Sequence, residues 1–233
     1  MRTLAVLSRK GGTGKTTVAL HLAAAAHREG RSTVLCDMDP QRSALDWRRE
    51  RREDGPEVAE AKVGTLFTAR QAAVRAGIDL MVLDTRPSSD MESAEAVRFA
   101  DLCLIVVRPC YFDLKAIVRT VELVTNMNRK GLFVLNQAPI RTRGTEPKQI
   151  RETVSELERL GLPVADVGLR FRTAYQNAVR HGLAAQEAEP ESNAAIEINA
   201  LWRQVSRELW PQVEEAVAES VAAPERERVL ELG

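Results

Sequence analysis

The sequence predicts a doubly wound α/β domain, a mostly parallel sheet flanked by helices on both faces. Three observations carry this. Short apolar runs recur at 4–7, 33–36, 79–84, 102–107 and 132–136, and near-continuous runs of that length suit strands covered on both faces. Stretches of helical character lie between and beyond them, at 15–29, 41–53, 65–76, 91–100, 112–129, 146–160, 173–181 and 193–218, so strand and helix alternate as a parallel sheet requires. The first apolar run leads straight into a glycine-rich loop that opens a helix, the arrangement of a phosphate-binding α/β domain. Weaker strands are expected at 58–63 and 164–167.

That first loop is Ser8-Arg9-Lys10-Gly11-Gly12-Thr13-Gly14-Lys15-Thr16-Thr17. Its glycines let the backbone turn tightly and aim successive N–H groups into one concavity. The first turn of the following helix adds unpaired N–H groups and the positive end of its dipole. Such a loop binds a polyphosphate, with Lys15 on the β- and γ-phosphates and the Thr16 hydroxyl on Mg²⁺.

The second strand ends in Asp37-Met38-Asp39-Pro40-Gln41. Ligands of open α/β sheets sit at the carboxyl ends of the strands, which brings both carboxylates to the phosphate crevice. Asp37 can hold a Mg²⁺-bound water or the Thr16 hydroxyl, and Asp39 can orient an attacking water. Capping of the next helix explains one of these carboxylates but not both. Asp84 closes the run at 79–84, where a carboxylate acts on Mg²⁺ through water. Thr85-Arg86-Pro87-Ser88-Ser89 follows as a segment placed to sense the terminal phosphate.

Composition narrows the rest. Lys plus Arg equals Asp plus Glu, 33 of each in 233 residues, so only a local basic patch could serve nucleic acid. No apolar run is long enough to span a bilayer, no signal peptide is visible, and a cytoplasmic location is expected. Cys36, Cys103 and Cys110 are unevenly spaced, which points to free thiols rather than a disulfide or metal site. One domain is expected over 1–212. The remainder, 213–233, is acidic, with Glu214, Glu215, Glu219, Glu225, Glu227 and Glu231 against Arg226 and Arg228. It is expected to be a frayed or disordered tail that anionic lipid repels. No separate DNA-reading domain is expected ahead of the loop. The arginines at 42–52 alternate with acids, the pattern of a solvated helix face.

The run Lys10 to Thr17, K-G-G-x-G-K-S/T-T, resembles the deviant Walker A box of the ParA/MinD family of ATPases, with Arg9 where the common phosphate-loop pattern has glycine. Arg86 after Asp84-Thr85 is similar to the VirC-type members, and V-L-N-Q-A-P at 134–139 to small plasmid-type ParA proteins. The resemblance implies Mg-ATP as ligand and a nucleotide sandwich homodimer in which Lys10 reaches the partner's phosphates. It makes Gly11, Gly12, Thr13, Gly14, Lys15, Thr16 and Thr17 the phosphate cradle, with Lys10, Lys15 and Asp39 catalytic. It gives the metal to Thr16, Asp37 and Asp84. It assigns Asn136 to the adenine, although an Asn there also suits a turn. Helix 112–129 would lie at the dimer face, although its spacing equally suits core packing.

Arg141, Arg143, Arg170, Arg172 and Arg180 would form a non-specific DNA surface of the ATP-bound dimer if their elements adjoin; otherwise they are scattered solvated charges. The implied function is slow ATP hydrolysis, stimulated by a ParB-like or other adaptor, for segregating or positioning DNA on the nucleoid. The alternative is positioning of a protein cargo such as a relaxosome, chemoreceptor cluster or microcompartment. The acidic tail departs from the basic amphipathic helix of MinD-like members, so no membrane partner is expected.

Overall fold

The computed structural model describes residues 1–87, 90–141 and 143–211. The strands are β1 (Arg2–Leu7), β2 (Thr33–Asp37), β3 (Glu57–Glu60), β4 (Leu80–Asp84), β5 (Leu102–Val107) and β6 (Lys130–Leu135). The helices are α1 (Lys15–Arg28), α2 (Ser43–Glu50), α3 (Leu66–Arg75), α4 (Asp90–Phe99), α5 (Tyr111–Asn126), α6 (Lys148–Glu158), α7 (Thr173–Arg180), α8 (Ala185–Ala188) and α9 (Asn193–Leu209). The strands form one sheet in the order β3-β2-β4-β1-β5-β6, and every pairing is parallel.

Alternation along β1 explains why both faces are covered. Leu4 and Val6 point into a core with Val18 and Leu22 of α1 and with Ile198, Leu201 and Trp202 of α9. Ala5 and Leu7 point the other way, among Cys36, Met81, Cys103 and Ile105, under Ala96 and Val97 of α4 and Ile117 and Val121 of α5. α5 therefore uses its apolar spacing at least in part for core packing. α1 is rich in buried alanine, including Ala19, Ala23 and Ala26, and small side chains let a helix lie close on a sheet. The register matters most at the carboxyl ends: Asp37 stands beside Asp84, and Asp84 beside Val6.

Several expectations are corrected. The stretch 164–167 is not a regular strand. It meets β6 through one bridge, Phe133 with Val164, and Ala138 bridges Arg170 further on. Pro163 has no N–H to donate, and the chain follows the edge irregularly, with Leu169 N–H on the Leu135 carbonyl at 2.8 Å. β3 starts and ends before the expected 58–63. The short helix α8 is closed at its start by Glu187, which accepts the Ala184 N–H at 2.7 Å. α9 ends at Leu209; its expected extension to 218 and the acidic tail lie outside the described residues, as do Ser88 and Ser89.

The arginines at 42–52 are not all solvated. Arg51 is buried, with Nη1 on Glu187 Oε2 at 2.8 Å, Nη2 on Oε1 at 2.6 Å and Nη1 on the Gly182 carbonyl at 2.9 Å. Trp47 is buried beside it and donates Nε1–H to the Leu183 carbonyl at 3.2 Å. Gly182 has φ +69°, and a Cβ there would stand 2.4 Å from the Arg51 backbone. These contacts tie α2 to the turn between α7 and α8. Removing one partner leaves a buried charge unpaired, so Arg51→Ala is expected to cost about 3–5 kcal/mol, measured by chemical denaturation against wild type.

His21 in α1 is fully buried, edge-on to Tyr175, with Nδ1–H on the Thr17 carbonyl at 2.7 Å and no partner for Nε2. Burial lowers it to about 4, against the pull of the Thr17 carbonyl and the Glu187 charge. Below pH 6.5 the unfolded chain takes up a proton that the folded chain refuses. Stability is therefore expected to fall as pH drops from 6.5 toward 4, by on the order of 3 kcal/mol from this residue. Denaturation midpoints across that window should show the slope, and His21→Leu should flatten it.

Candidate functional site

β1 delivers the loop at the centre of the sheet, where β4 and β5 flank it. Gly12 and Gly14 have φ of +73° and +84°, values that favour glycine. Gly14 is the N-cap of α1, no side chain caps that helix, and its first turn holds no acid. The positive helix end is thus left for an anionic ligand. The Ser8 hydroxyl donates to the Lys10 carbonyl at 3.0 Å, which steadies the entry to the turn. Lys10 is half-buried.

The far wall of the loop is built by the end of β6. Asn136 Nδ2 donates to the Thr13 carbonyl at 2.7 Å, and Gln137 Nε2 to the Gly12 carbonyl at 2.9 Å. A Cβ on Gly14 would meet Asn136 Nδ2 at 2.2 Å, so glycine is required there twice over. Asn136, expected at the adenine, has its Nδ2 on the phosphate loop. Gln137 was not singled out by the sequence, and its neighbour's motif was the only available signal.

Lys15 is buried, and burial lowers its pKa while the charges of Asp84 and Asp39 raise it again. Asp84 at the end of β4 is also buried; the Thr16 hydroxyl is its polar neighbour, and among the described residues no hydrogen bond of full geometry reaches either oxygen. Burial pushes it up to about 7; the Thr16 hydroxyl and Lys15 pull it down, and Asp37 and Asp39 push it further up. A buried carboxylate beside the Thr16 hydroxyl is an oxygen donor set suited to Mg²⁺. Among the described residues no group of three or more His, Cys, Asp or Glu could hold a metal by itself. The arrangement therefore fits an ion that takes its remaining ligands from phosphate and water.

The two carboxylates after β2 divide their labour. Asp37 Oδ2 accepts the Ala44 and Leu45 N–H groups at 2.9 and 3.2 Å, and Oδ1 accepts the Asp39 N–H at 3.1 Å. It caps α2, whose own N-cap residue Arg42 has φ +56° and supplies no side-chain cap. The Asp39 carboxylate accepts the Gln41 N–H at 3.0 Å, with no other hydrogen bond to it among the described residues, and Asp39 is half-buried. It borders a hollow lined by Asp37, Pro40, Arg42, Lys62 and Glu92. Thr85 is pinned to β1 by its hydroxyl on the Val6 carbonyl at 2.9 Å, while Arg86 is exposed. Arg9, the residue in the unusual loop position, forms an ion pair with Asp90 of α4.

The arginine surface is the main correction. Arg170 is buried, and its Nη1 and Nη2 grip Glu146 at 2.6 and 2.7 Å. Arg170, helped by Arg141, lowers Glu146 to about 2. Arg172 binds Glu197 through Nε and Nη2 at 3.0 and 2.6 Å, and Glu197 also accepts the Tyr175 hydroxyl at 2.8 Å. Arg170 is thus withdrawn from any exposed patch and Arg172 is largely neutralised. Arg141 is exposed, though paired with Glu146 at 2.8 Å. Arg143 and Arg180 are exposed and form no ion pair among the described residues.

The comparisons with known proteins agree with this geometry. The family described as CobQ/CobB/MinD/ParA nucleotide binding domain matches residues 4–185. The chain belongs to that family. It is 34% identical over 216 residues to the maintenance of carboxysome distribution protein A of Halothiobacillus neapolitanus, covering 87% of this chain and 95% of the relative. It is 27% identical over 192 residues to protein virC1 of Rhizobium radiobacter, covering 78% and 82% of the two chains. Among solved structures, the septum site-determining protein MinD of Pyrococcus horikoshii, complexed with Mg-ADP, superposes with a TM-score of 0.68 at 18% identity. That match covers 88% of this chain and 95% of the other. At that identity the likeness shows the fold, a parallel sheet of the MinD type.

Losing the Asn136 bond to the loop removes about 1 kcal/mol of preorganisation. Asn136→Ala is therefore expected to weaken nucleotide binding about fivefold, read by titration with a fluorescent ADP analogue. Unchanged affinity would show that the loop holds its shape without this side chain.

Proposed function

We propose that the protein is an ATP-dependent switch of the ParA type. It binds Mg-ATP, closes into a sandwich homodimer, hydrolyses ATP slowly, and serves to segregate or position DNA. The observation that carries this reading is the convergence at one end of the sheet. Two lysines in one glycine loop, a buried Asp84 beside Lys15 and Thr16, and an open Asp39 all meet there.

In this reading the loop amides from Gly11 to Thr17 and Lys15 take the phosphates, and Lys10 neutralises charge across the dimer. Thr16 and Asp84 hold the magnesium ion, which supplies charge neutralisation at the phosphates when bound. Asp37 keeps α2 in place and acts on the ion only through water. Asp39 orients the attacking water, a role for which its half-buried carboxylate is left open beyond the Gln41 N–H. Asn136 sets the loop and has its Oδ1 left for the adenine edge. An adaptor of the ParB kind would stimulate hydrolysis.

DNA binding in this reading rests on the exposed Arg141, Arg143 and Arg180, and the protein is nucleoid-associated when ATP-bound. Arg170 and Arg172 act by shaping the segment. The second reading is positioning of a protein cargo. Its support is the similarity to a carboxysome distribution protein over nearly the whole of both chains, together with the thinner arginine surface. No helix among the described residues is long and apolar enough to cross a membrane.

Binding to a non-specific duplex with ATP, with ADP and without nucleotide, across a salt series, separates the readings. The expected result is ATP-only binding that weakens with salt, is reduced by Arg143→Ala with Arg180→Ala, and survives Asp39→Ala while hydrolysis does not. Dimerisation with ATP but no DNA binding in any state would move the function to a protein cargo. A hydrolysing Asp39→Ala variant would remove that residue from the mechanism.

A further inference from the structure

The stretch after β5 is not used by the function proposed above. β1 and β5 are parallel neighbours, with Leu7 beside Ile105. The glycine loop and Val107-Arg108-Pro109 therefore leave the sheet side by side, at the same end. Arg108 forms a fork with Asp113 in the first turn of α5: Nε on Oδ2 at 2.8 Å and Nη2 on Oδ1 at 3.2 Å. Asp113 is buried, and the Arg108 side chain is 31% exposed. The remaining nitrogen, Nη1, has no hydrogen-bond partner among the described residues. It faces the loop, 3.9 Å from where a Cβ on Gly12 would stand.

A bidentate pair is a rigid device, because the planar guanidinium is fixed in orientation as well as position. With two nitrogens spent on Asp113, the third projects at the exposed part of the loop. Gly11 and Gly12 are exposed there, ahead of the α1 end that receives the inner phosphates. A donor waiting beside the loop needs no reorganisation when anionic charge arrives. A purely structural pair, one that only ties the β5 end to α5, gives no reason for Nη1 to stand unpartnered at the loop.

We propose that Arg108, oriented by Asp113, donates through Nη1 to the terminal phosphate of a bound nucleoside triphosphate and so helps the site tell it from a diphosphate. This deepens the ATP-switch reading and rests on it. Arg108 touches the nucleotide in this scheme, and Asp113 is the positioning residue.

The test is titration of the full chain with a non-hydrolysable ATP analogue and with ADP, both with magnesium, on wild type, Arg108→Gln, Arg108→Lys and Asp113→Asn. Thermal melts establish that each variant is folded. Arg108→Gln is expected to lose about tenfold in triphosphate affinity with ADP affinity unchanged within about twofold. Arg108→Lys should recover part of the loss, since it keeps the charge without the fork. Asp113→Asn should shift the same ratio in the same direction by a smaller factor. Equal losses for both nucleotides, or no loss for either, would overturn the proposal and leave the pair structural. A wild-type chain that binds neither nucleotide would instead overturn the ATP-switch reading, and this inference with it.

Discussion

Asp84 is a carboxylate buried at the centre of the sheet, with the Thr16 hydroxyl and the Lys15 charge set against its burial. Burying a charge unpaired costs several kcal/mol, and the usual answer is a shifted pKa or a partner. Both are visible here: the group is raised to about 7, and Lys15 and Thr16 pull against that rise. The parallel register makes the position unavoidable, because β4 must end between β1 and β2 for the sheet to close in this order. Asp84, Asp37 and the loop are held at one level by the same ladder. A fold that needed only stability would place an apolar residue at 84. Retaining a carboxylate there is consistent with a site that gains its missing partner from a bound cation.

The loop is then secured from several sides by groups that are not its own. Asn136 and Gln137 hold its carbonyls from β6, Arg9 reaches Asp90 of α4, and Arg108 stands over Gly12 from β5. This support explains how a turn with glycines at 11, 12 and 14 can keep one shape. Glycine brings no side-chain contacts and loses the most backbone entropy on ordering. The ordering is supplied by long side chains on neighbouring strand ends, which a parallel sheet brings within reach of the first loop.

Much of this was legible in the sequence. Strand cores, helix order and the phosphate loop announce themselves through apolar spacing and glycine placement, which are local signals. What was not legible depends on pairs remote in the chain. Arg170 with Glu146, Arg172 with Glu197 and Arg51 with Glu187 look in the sequence like solvated charges, because nothing local to an arginine says which distant acid will meet it. The sequence allowed one of Asp37 and Asp39 to cap the next helix without saying which, because that helix begins at Ser43 after a non-helical turn. It also hid 163–171, which covers the β6 edge without strand periodicity because proline and glycine interrupt the pattern.

Those remote pairs also decide what kind of surface the chain can offer. A non-specific grip on DNA needs exposed cations whose counterions are released on binding. An arginine already seated on a carboxylate must break that pair first and releases little. With equal numbers of acids and bases in the chain, a patch arises only where acids are held elsewhere. Glu146 and Glu197 do the reverse, sitting within the arginine segment and fixing Arg170 and Arg172 in place. The exposed cations that remain, Arg143 at a left-handed turn with φ +51° and Arg180 at the end of α7, belong to different elements. α7 is followed by the Gly182 turn that Arg51 clamps, and α2 is capped at its other end by Asp37. α2 is thus held at both ends, by Asp37 at the phosphate crevice and through Arg51 at the turn that follows Arg180. A helix fastened in this way fixes the turn after α7 relative to the crevice, and that tie depends on two buried side chains rather than on the number of exposed charges.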